Sequence, residues 1–547
     1  MSGNLSHLLS RKPLSNGLLN AQHRASADSG EVSPEQAGTI AADFNVGPAN
    51  VLGSSSFYDF LKPANKGKKV YVCSGSACML AGTQPALRQN IEQLVGAAEI
   101  GEMCCLGRCH ENSAMHYNGI NYSGCTTEDV RGILKDELTD GYDTYHVESD
   151  LGDSVLMPWM SNMEDFKPLI NSILNDHEEN LLHEIKLSEL RGRGGGGFPM
   201  SVKINALLQS DSKVKYIVCN ADEGDPGSYS DRYLMEHRPH QVLFGMFLTG
   251  YITGAQSGII YVRAEYPESL RIMQDAAAQW NQLKPDHTNF TFTFEIVKGA
   301  GSYVVGEETA LLSSIEGQRP EVRVRPPYPV EKGLFGKPTL VNNVETFANL
   351  PYIAEHGGEA FSRLGTAKSK GTKLVSLDSH FNRPGVYEVL MGTSLSHVVY
   401  TLGQGFRSPV KALHIGGPLG GVVPVNMIDS LTLDFESFRE AGFELGHASI
   451  LAIPESFPMI DYMIHLFEFV AHESCGKCFP CRLGSKRGFE LLKASLIGSR
   501  INSTEFRDLL EALQYGSLCG LGSGLTTPIR NILRHFHSEI EAYFKND

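Results

Sequence analysis

Three cysteines, Cys475, Cys478 and Cys481, recur every third residue inside ESCGKCFPCRLGSKRG, which runs from Glu473 to Gly488. This spacing returns each thiol to the same side, so the segment wraps tightly around a metal centre. In a C-x2-C-x2-C-x3-C-P run a further cysteine follows closely; position 485 here is Ser485, and the fourth ligand must come from elsewhere. Beyond Cys481 the chain holds one more cysteine, Cys519, in GSLCGLGSG. Gly516, Gly520 and Gly522 around it let backbone approach a bulky group and donate N–H groups to its sulfurs. One [4Fe–4S] cluster on Cys475, Cys478, Cys481 and Cys519 is expected. Four thiolates also suit tetrahedral zinc, and spacing alone leaves that alternative open.

Five of the other cysteines, among 11 in all, form a second group: Cys73 and Cys78 in VCSGSACM, then Cys104, Cys105 and Cys109 in CCLGRCH. A C-x4-C pair, a gap and a C-x3-C pair containing Gly107 resemble the [2Fe–2S] site of thioredoxin-like ferredoxins. Either Cys104 or Cys105 satisfies the thiol chemistry. The run CLGRC is similar to the C-L-G-x-C run of that family, which implies Cys73, Cys78, Cys105 and Cys109 as ligands and leaves Cys104 a neighbouring thiol. Cys219 ends an apolar run, KYIVCN, and reads as a buried inert thiol.

A chain of 547 residues is too long for one core and predicts several domains. Its net charge of −15 offers no electrostatic footprint for nucleic acid or anionic membranes. The start, MSGNLSHLLSRKPLSNGLL, lacks a signal-peptide core. The run PHQVLFGMFLTGYITGAQSGIIYV (Pro239 to Val262) is long enough to span a bilayer, but four glycines interrupt it, and Gln256 and Ser257 divide it into a helix and a short β-rich run. A buried helix plus strand is expected, without direct membrane insertion. A cytoplasmic, reducing location follows, where cysteines more often bind metal than form disulfides.

LRGRGGGGFPMSVK (Leu190 to Lys203) contains G-x-G-x-x-G at Gly192, Gly194 and Gly197, without the apolar strand that precedes a Rossmann loop. Its glycines can still expose N–H groups to an anion, a helix is expected after Pro199, and Lys203 can add a point charge to a phosphate. The strand-like VKYIVCN ends at Asn220 and ADEGDPGSYSDR follows, four acids in twelve residues. Carboxylates at a strand end can bond ribose hydroxyls and repel a 2′-phosphate, favouring NAD over NADP; an acidic surface turn is the plainer alternative. KGAGSYVVGEETALLSSIEGQRPEVRVRPPYP brings adjacent Glu307 and Glu308, and GKPTLVNNVET brings Asn342 and Asn343, whose amides suit the donor–acceptor edge of a flavin.

Together these motifs resemble the flavin-carrying, NADH-binding subunit of respiratory complex I and the diaphorase subunits of soluble NAD-linked hydrogenases and formate dehydrogenases. The resemblance covers nearly everything after about residue 33. SPEQAGTIAADFNVGPANVLGSSSFYDFL looks like the helical leader of the complex I [2Fe–2S] subunit, so two subunits separate there are fused here. The resemblance implies that Gly194, Gly196, Lys203, Asn220, Asp222, Gly306, Glu307, Asn342 and Asn343 hold FMN. It implies that Phe198, Glu223, Asp225, Tyr303 and Glu308 meet NAD(H). Two departures stand out. The family reads D-E-S-E-P-G where Asp222-Glu-Gly-Asp-Pro-Gly stands, and an aromatic residue common after the lysine is replaced by Ile204 and Asn205.

The implied fold is a multidomain α/β chain: a flexible segment 1–32, a helical leader plus thioredoxin-like [2Fe–2S] domain 33–150, a connector 151–179, an FMN/NAD-binding α/β domain 180–365, a β-grasp domain 366–450 and a helical bundle 451–547 with the [4Fe–4S] cluster. The implied activity is hydride exchange between NAD(H) and FMN with single electrons passing through the clusters, and no residue is expected to act as nucleophile or base. No molybdenum- or nickel-binding constellation is visible. The expected partner is a catalytic subunit carrying a molybdenum or tungsten cofactor and further iron–sulfur clusters. LDSHFNRPGVYEV, HIGGPLGGVVP and SLCGLGSGL look most like the beta subunit of NAD-dependent formate dehydrogenase, with a hydrogenase or complex I-type diaphorase as the alternative.

Overall fold

The computed structural model describes residues 5, 8–141, 143–157, 162–174, 178–283 and 290–545. The first sheet is built from β1 (Val70–Cys73), β2 (Ile100–Met103), β3 (Met115–Tyr117) and β4 (Ile120–Tyr122), in the order β2-β1-β3-β4. β1 and β2 are parallel and β3 and β4 form a hairpin. Asn118 (φ 49°) and Gly119 (φ 78°) turn that hairpin, the left-handed pair a two-residue turn requires. Helices Gln84–Val95 and Thr127–Leu134 bury Leu87, Ile91, Val130 and Ile133 against the sheet. Cys73 therefore ends β1, Cys78 lies in the helix Ser76–Ala81 that follows, and Cys104 and Cys105 lie just past β2.

β5 (His146–Ser149) leaves this unit and pairs far along the chain. The next sheet contains β6 (Tyr216–Ala221), β7 (Ser257–Val262), β8 (Thr293–Lys298) and β9 (Thr339–Asn343), all parallel, in the order β8-β7-β6-β9. Successive strands step outward from β6 to β8, and β9 returns to the other side of β6. The order thus reverses between β6 and β9, and ligands bind such sheets beyond the carboxyl ends of the strands at that point. Asn220 and Asn343 are paired in register there. The long apolar run forms the helix Pro239–Thr253, enclosed on all sides, and feeds β7 as expected. Gly245 admits a close crossing: a Cβ there would lie 2.0 Å from the Phe347 carbonyl oxygen. Among the described residues no helix is long and apolar enough to cross a membrane.

The third sheet comprises β10 (Thr372–Leu377), β11 (Gly385–Leu390), β12 (Val410–Ile415), β13 (Gly421–Pro424) and β14 (Ser449–Pro454), ordered β13-β12-β14-β10-β11-β5. Its two central strands, β10 and β14, are parallel and flanked by antiparallel neighbours, a β-grasp arrangement. β5 completes the edge beside β11, so an expected boundary at residue 150 is corrected: residues 146–149 belong to this sheet, whose exposed edge they cover. The last region packs helices Met459–Glu473, Ser485–Ser495, Ser503–Gly516 and Thr526–His535 around Phe467, Phe506, Leu513 and Ile529.

The expectation of a loose segment up to residue 32 is also corrected. Leu18–Ser26 is a helix, and Leu9, Leu18, Leu19 and Val32 are buried. Gly317 (φ +74°) seats it, since a Cβ there would lie 2.4 Å from the Leu18 Cβ. The segment's polar average conceals leucines that its helix directs to one face.

Candidate functional site

At the switch point lies a cavity of about 460 Å³, within the range of small-molecule sites. The glycine loop forms one wall. Arg191 and Pro199 bridge its ends, with the Gly192 N–H donating to the Phe198 carbonyl at 2.8 Å, so this is a closed hairpin-like loop and not a Rossmann turn. Gly195 (φ +104°) adopts a conformation open only to glycine and packs against Gly446, and Gly194 touches Asn343. Gly196 has nothing within 4 Å of where a Cβ would stand. Phe198 sits at the rim, 51% exposed. Lys203, in the first turn of the helix Met200–Leu208, donates to the Val341 carbonyl at 2.8 Å and stands 3.5 Å from Glu308.

The floor comes from the strand ends. Asn220 donates to the Gly306 carbonyl at 2.8 Å. Asn343 accepts from the Thr346 N–H at 3.2 Å and donates to Asp231 at 2.6 Å. The Asn342 Nδ2 and Asp222 Oδ2 atoms are buried without a hydrogen-bond partner, although both residues line the cavity, and Glu307 Oε1 there faces only Arg325, at 3.7 Å. Leaving such groups unpaired costs about 1–3 kcal/mol each, so a polar ligand is expected to meet them. Burial raises the Asp222 carboxyl well above its ordinary value, against the opposing pull of Arg263. Glu307 also caps the helix Glu308–Ile315, accepting from the Thr309 and Ala310 N–H groups at 2.9 Å.

The acidic loop divides its duties. Asp225 accepts from the Tyr303 hydroxyl at 2.7 Å, and burial raises its pKa. Glu223, expected to meet a nucleotide, lines the cavity and also makes a set of internal bonds. Its Oε1 accepts from the Ser228 hydroxyl (2.6 Å) and the Asp231 N–H (3.0 Å), and its Oε2 accepts from the Arg232 N–H (2.9 Å). It satisfies the open N–H groups of the helix Ser230–His237, which has no other cap of its own. Among the cavity residues, His447 alone lies outside every motif read from the sequence. It is a histidine between glycine and alanine in a turn, too common a pattern to single out.

The thiol groups flank this cavity. Gly520 and Leu521, which follow Cys519, form part of its wall. Cys475 and Cys481 are buried, Cys478 and Cys519 partly so. Cys519 lies close enough to Cys475 and Cys481 for their charges to act on it. Burial pushes the Cys519 thiol up to about 12 and the Cys481 thiol up to about 11, an unfavourable setting for bare thiolates that a metal cluster reverses. Gly522 leaves room beside this set, for a Cβ there would meet the Cys481 Cβ at 2.9 Å. On the other side, Cys73, Cys78, Cys105 and Cys109 are all buried. The Cys105 and Cys109 sulfurs lie 3.3 Å apart, and Cys73 neighbours both Cys105 and Cys78. N–H groups reach two of these sulfurs: Gly107 to Cys105 at 3.4 Å and Gly227 to Cys109 at 3.1 Å. Gly227 belongs to the acidic loop, which thus joins the cavity to the first thiol set. Cys104 neighbours this set, and a Cβ at Gly75 would stand 3.4 Å from both the Cys104 Sγ and the Cys105 Cβ. The eight cysteines expected as ligands therefore converge in two fours. The donor chemistry fits the two clusters, and the cavity with its unpaired amide and carboxylate fits a flavin.

The family described as the Nuo51 FMN-binding domain matches residues 185–352, the thioredoxin-like [2Fe-2S] ferredoxin family matches 8–137, and the NADH-ubiquinone oxidoreductase-F iron-sulfur binding region matches 461–543. The second NADH-quinone oxidoreductase-F protein of Rhizobium meliloti (strain 1021) is 37% identical over 378 residues, 67% of this chain and 89% of that protein. The chain belongs to the NADH-quinone oxidoreductase-F family. NADP-reducing hydrogenase subunit HndC of Solidesulfovibrio fructosivorans is 40% identical over 368 residues, 66% of this chain and 75% of that protein. A chain in the crystal structure of an NAD+-reducing [NiFe]-hydrogenase in the H2-reduced state superposes with a TM-score of 0.82 at 25% identity, covering 97% of this chain and 93% of that one. As a member of the oxidoreductase-F family, the chain carries an FMN-binding domain, a [2Fe–2S] domain and a [4Fe–4S] region.

Proposed function

We propose that the switch-point cavity binds FMN and that NAD(H) enters over it, making the chain the diaphorase subunit of a larger complex. The observation that carries this is the cavity's position between the two thiol sets, touching Gly520 on one side and joined to Cys109 through Gly227 on the other. Bound there, FMN supplies the conversion between two-electron hydride transfer and the single electrons that iron–sulfur clusters carry. The chain's residues bind and orient. Gly194, Gly196 and Gly306 permit close backbone approach, Lys203 contributes positive charge, and the unpaired amide of Asn342 offers a donor, with Asn220, Asp222, Glu307 and Asn343 completing the frame. Phe198 at the rim, Asp225 with Tyr303, and Glu308 are positioned for the nucleotide, while Glu223 acts there through its charge. Tyr303 also donates its N–H to Glu473 at 2.8 Å, tying the nucleotide side to the segment that opens the Cys475 motif. Cys73, Cys78, Cys105 and Cys109 hold the [2Fe–2S] cluster, and Cys475, Cys478, Cys481 and Cys519 the [4Fe–4S] cluster. Lys203→Ala is expected to weaken FMN retention on dilution and dialysis; undiminished retention refutes the assignment. NADH is expected to reduce an artificial acceptor far faster than NADPH, and equal rates refute the role of the acidic loop.

For the partner, the runs around Asn382, Gly416 and Cys519 support the beta subunit of an NAD-dependent formate dehydrogenase, working with a subunit that carries molybdenum or tungsten. A second reading, the diaphorase of an NAD-reducing hydrogenase, is favoured by the 97% coverage of this chain in the hydrogenase superposition. The native complex separates them. NAD+ reduction by formate with molybdenum or tungsten present supports the first reading, whereas reduction by hydrogen with nickel present, and none by formate, supports the second.

A further inference from the structure

Six carboxyl groups line the cavity (Asp222, Glu223, Asp225, Asp231, Glu307 and Glu308) against two permanent cations, Lys203 and Arg325. FMN brings a phosphate that is itself anionic. Both permanent cations are committed to one side: Arg325 lies 2.9 Å from Glu308 and 3.7 Å from Glu307, and Lys203 lies 3.5 Å from Glu308. Beneath Asn343 on the other side, Asp231 and Glu223 are both buried. The cation that faces them is a histidine. His447 is 6% exposed and arrives from the turn before β14. Its ligand atoms and those of Glu223 and Asp231 all lie within 4.8 Å of one another.

The hydrogen bonds are consistent with a doubly protonated ring. Nε2 stands 3.2 Å from the Asp231 carboxylate and Nδ1 stands 2.8 Å from the Ser228 hydroxyl. That hydroxyl donates to Glu223, so it can only accept from His447, and the carboxylate only accepts. Both ring nitrogens therefore donate. Burial, the largest influence, opposes the charge and Lys373 resists it too, but the charge and hydrogen bond of Asp231 together with the charge of Glu223 lift the imidazole to about 9. Asp225 also feels the His447 charge.

We propose that His447 is the charge-compensating residue of the flavin cavity: by offsetting the charge of Asp231, and easing that of Glu223, beneath Asn343, it allows an anionic cofactor to occupy a site otherwise dominated by carboxylates. This rests on the assignment of the cavity to FMN. It makes flavin retention depend on pH through a residue that need not touch the reacting atoms. Glutamine at position 447 keeps a hydrogen-bonding side chain and loses the charge. Asparagine at position 231 then removes the carboxylate left uncompensated, while its amide oxygen can still accept from Asn343.

The test measures FMN dissociation from the purified full chain, by the fluorescence of released FMN, at about pH 7 and about pH 10. His447→Gln is expected to weaken FMN binding about ten-fold at neutral pH, the scale of one uncompensated charge at short range. His447→Gln with Asp231→Asn is expected to recover most of that loss. The wild-type chain should lose affinity between the two pH values, and His447→Gln should lack that step. Wild-type FMN affinity in His447→Gln at both pH values overturns the proposal, as does a double variant no better than the single one. Lys203→Ala keeps the two assignments distinguishable. If it weakens FMN binding while His447→Gln does not, the cavity reading stands and the role of His447 falls; if it too leaves binding unchanged, the cavity reading itself fails.

Discussion

Lys373 and Glu345 form an ion pair between side chains that are 1% and 0% exposed. Lys373 lies on β10 of the β-grasp sheet, and Glu345 lies on the short helix Val344–Ala348 that continues from Asn343. The pair therefore fastens the β-grasp sheet to the floor of the switch-point cavity. Glu345 also accepts from the Leu374 N–H at 3.1 Å. Lys373→Met fills most of the lysine's volume and leaves a buried carboxylate without its counter-charge. Breaking a buried pair in this way costs about 3–5 kcal/mol, a large fraction of the ~5–15 kcal/mol stability typical of a domain. Adding Glu345→Gln removes the stranded charge and retains an oxygen for Leu374, so the double variant should regain at least about 2 kcal/mol of the loss. Urea unfolding followed in parallel by far-ultraviolet circular dichroism and by FMN fluorescence provides the assay. Because the chain has several domains, the flavin signal should shift first and furthest. A single variant within about 1 kcal/mol of wild type, or a double variant less stable than the single one, refutes the reasoning.

Cys519→Ser should abolish the [4Fe–4S] electron paramagnetic resonance signal while the [2Fe–2S] signal and FMN persist, and an unchanged spectrum removes Cys519 from the ligand set. Cys105→Ser should lose the [2Fe–2S] signal and Cys104→Ser should keep it, since only Cys105 stands 3.3 Å from Cys109; the opposite pattern reverses the choice. Tyr303→Phe deletes the 2.7 Å bond to Asp225 and should weaken NADH binding by about 1.5–3 kcal/mol, measured by titration of flavin reduction, whereas unaltered affinity excludes that pair from the nucleotide site. Burial raises Asp378 from 3.8 to about 8. Between those values the folded chain holds a proton that the unfolded chain has released, so stability falls as pH rises from about 4 to about 8 and this contribution then levels off. Asp378→Asn should flatten that part of the melting-temperature profile, and an unchanged slope refutes the assignment.

The spacing of the cysteines, the glycines of residues 192–197 and the paired amides of Asn342 and Asn343 were legible in one dimension because their geometry is local. Two residues between successive thiols already dictate a wrapped segment, and a run of glycines already dictates exposed N–H groups. The apolar run from Pro239 resolved into helix and strand for the same reason, since its breaks lie within it. What needed the tertiary structure was everything decided by partners distant in sequence. Cys105 separates from Cys104 only when β2 delivers one of the two sulfurs to Cys109. That Glu223 also holds the helix Ser230–His237, through both of its oxygens, shows only in the fold. His447 gains its charge from Asp231, more than two hundred residues earlier, and Leu18 finds its place on Gly317, almost three hundred residues later. Polar groups and small hydrophobic faces are defined by what satisfies them, and the satisfying atoms are set by packing, which the order of residues along the chain does not display.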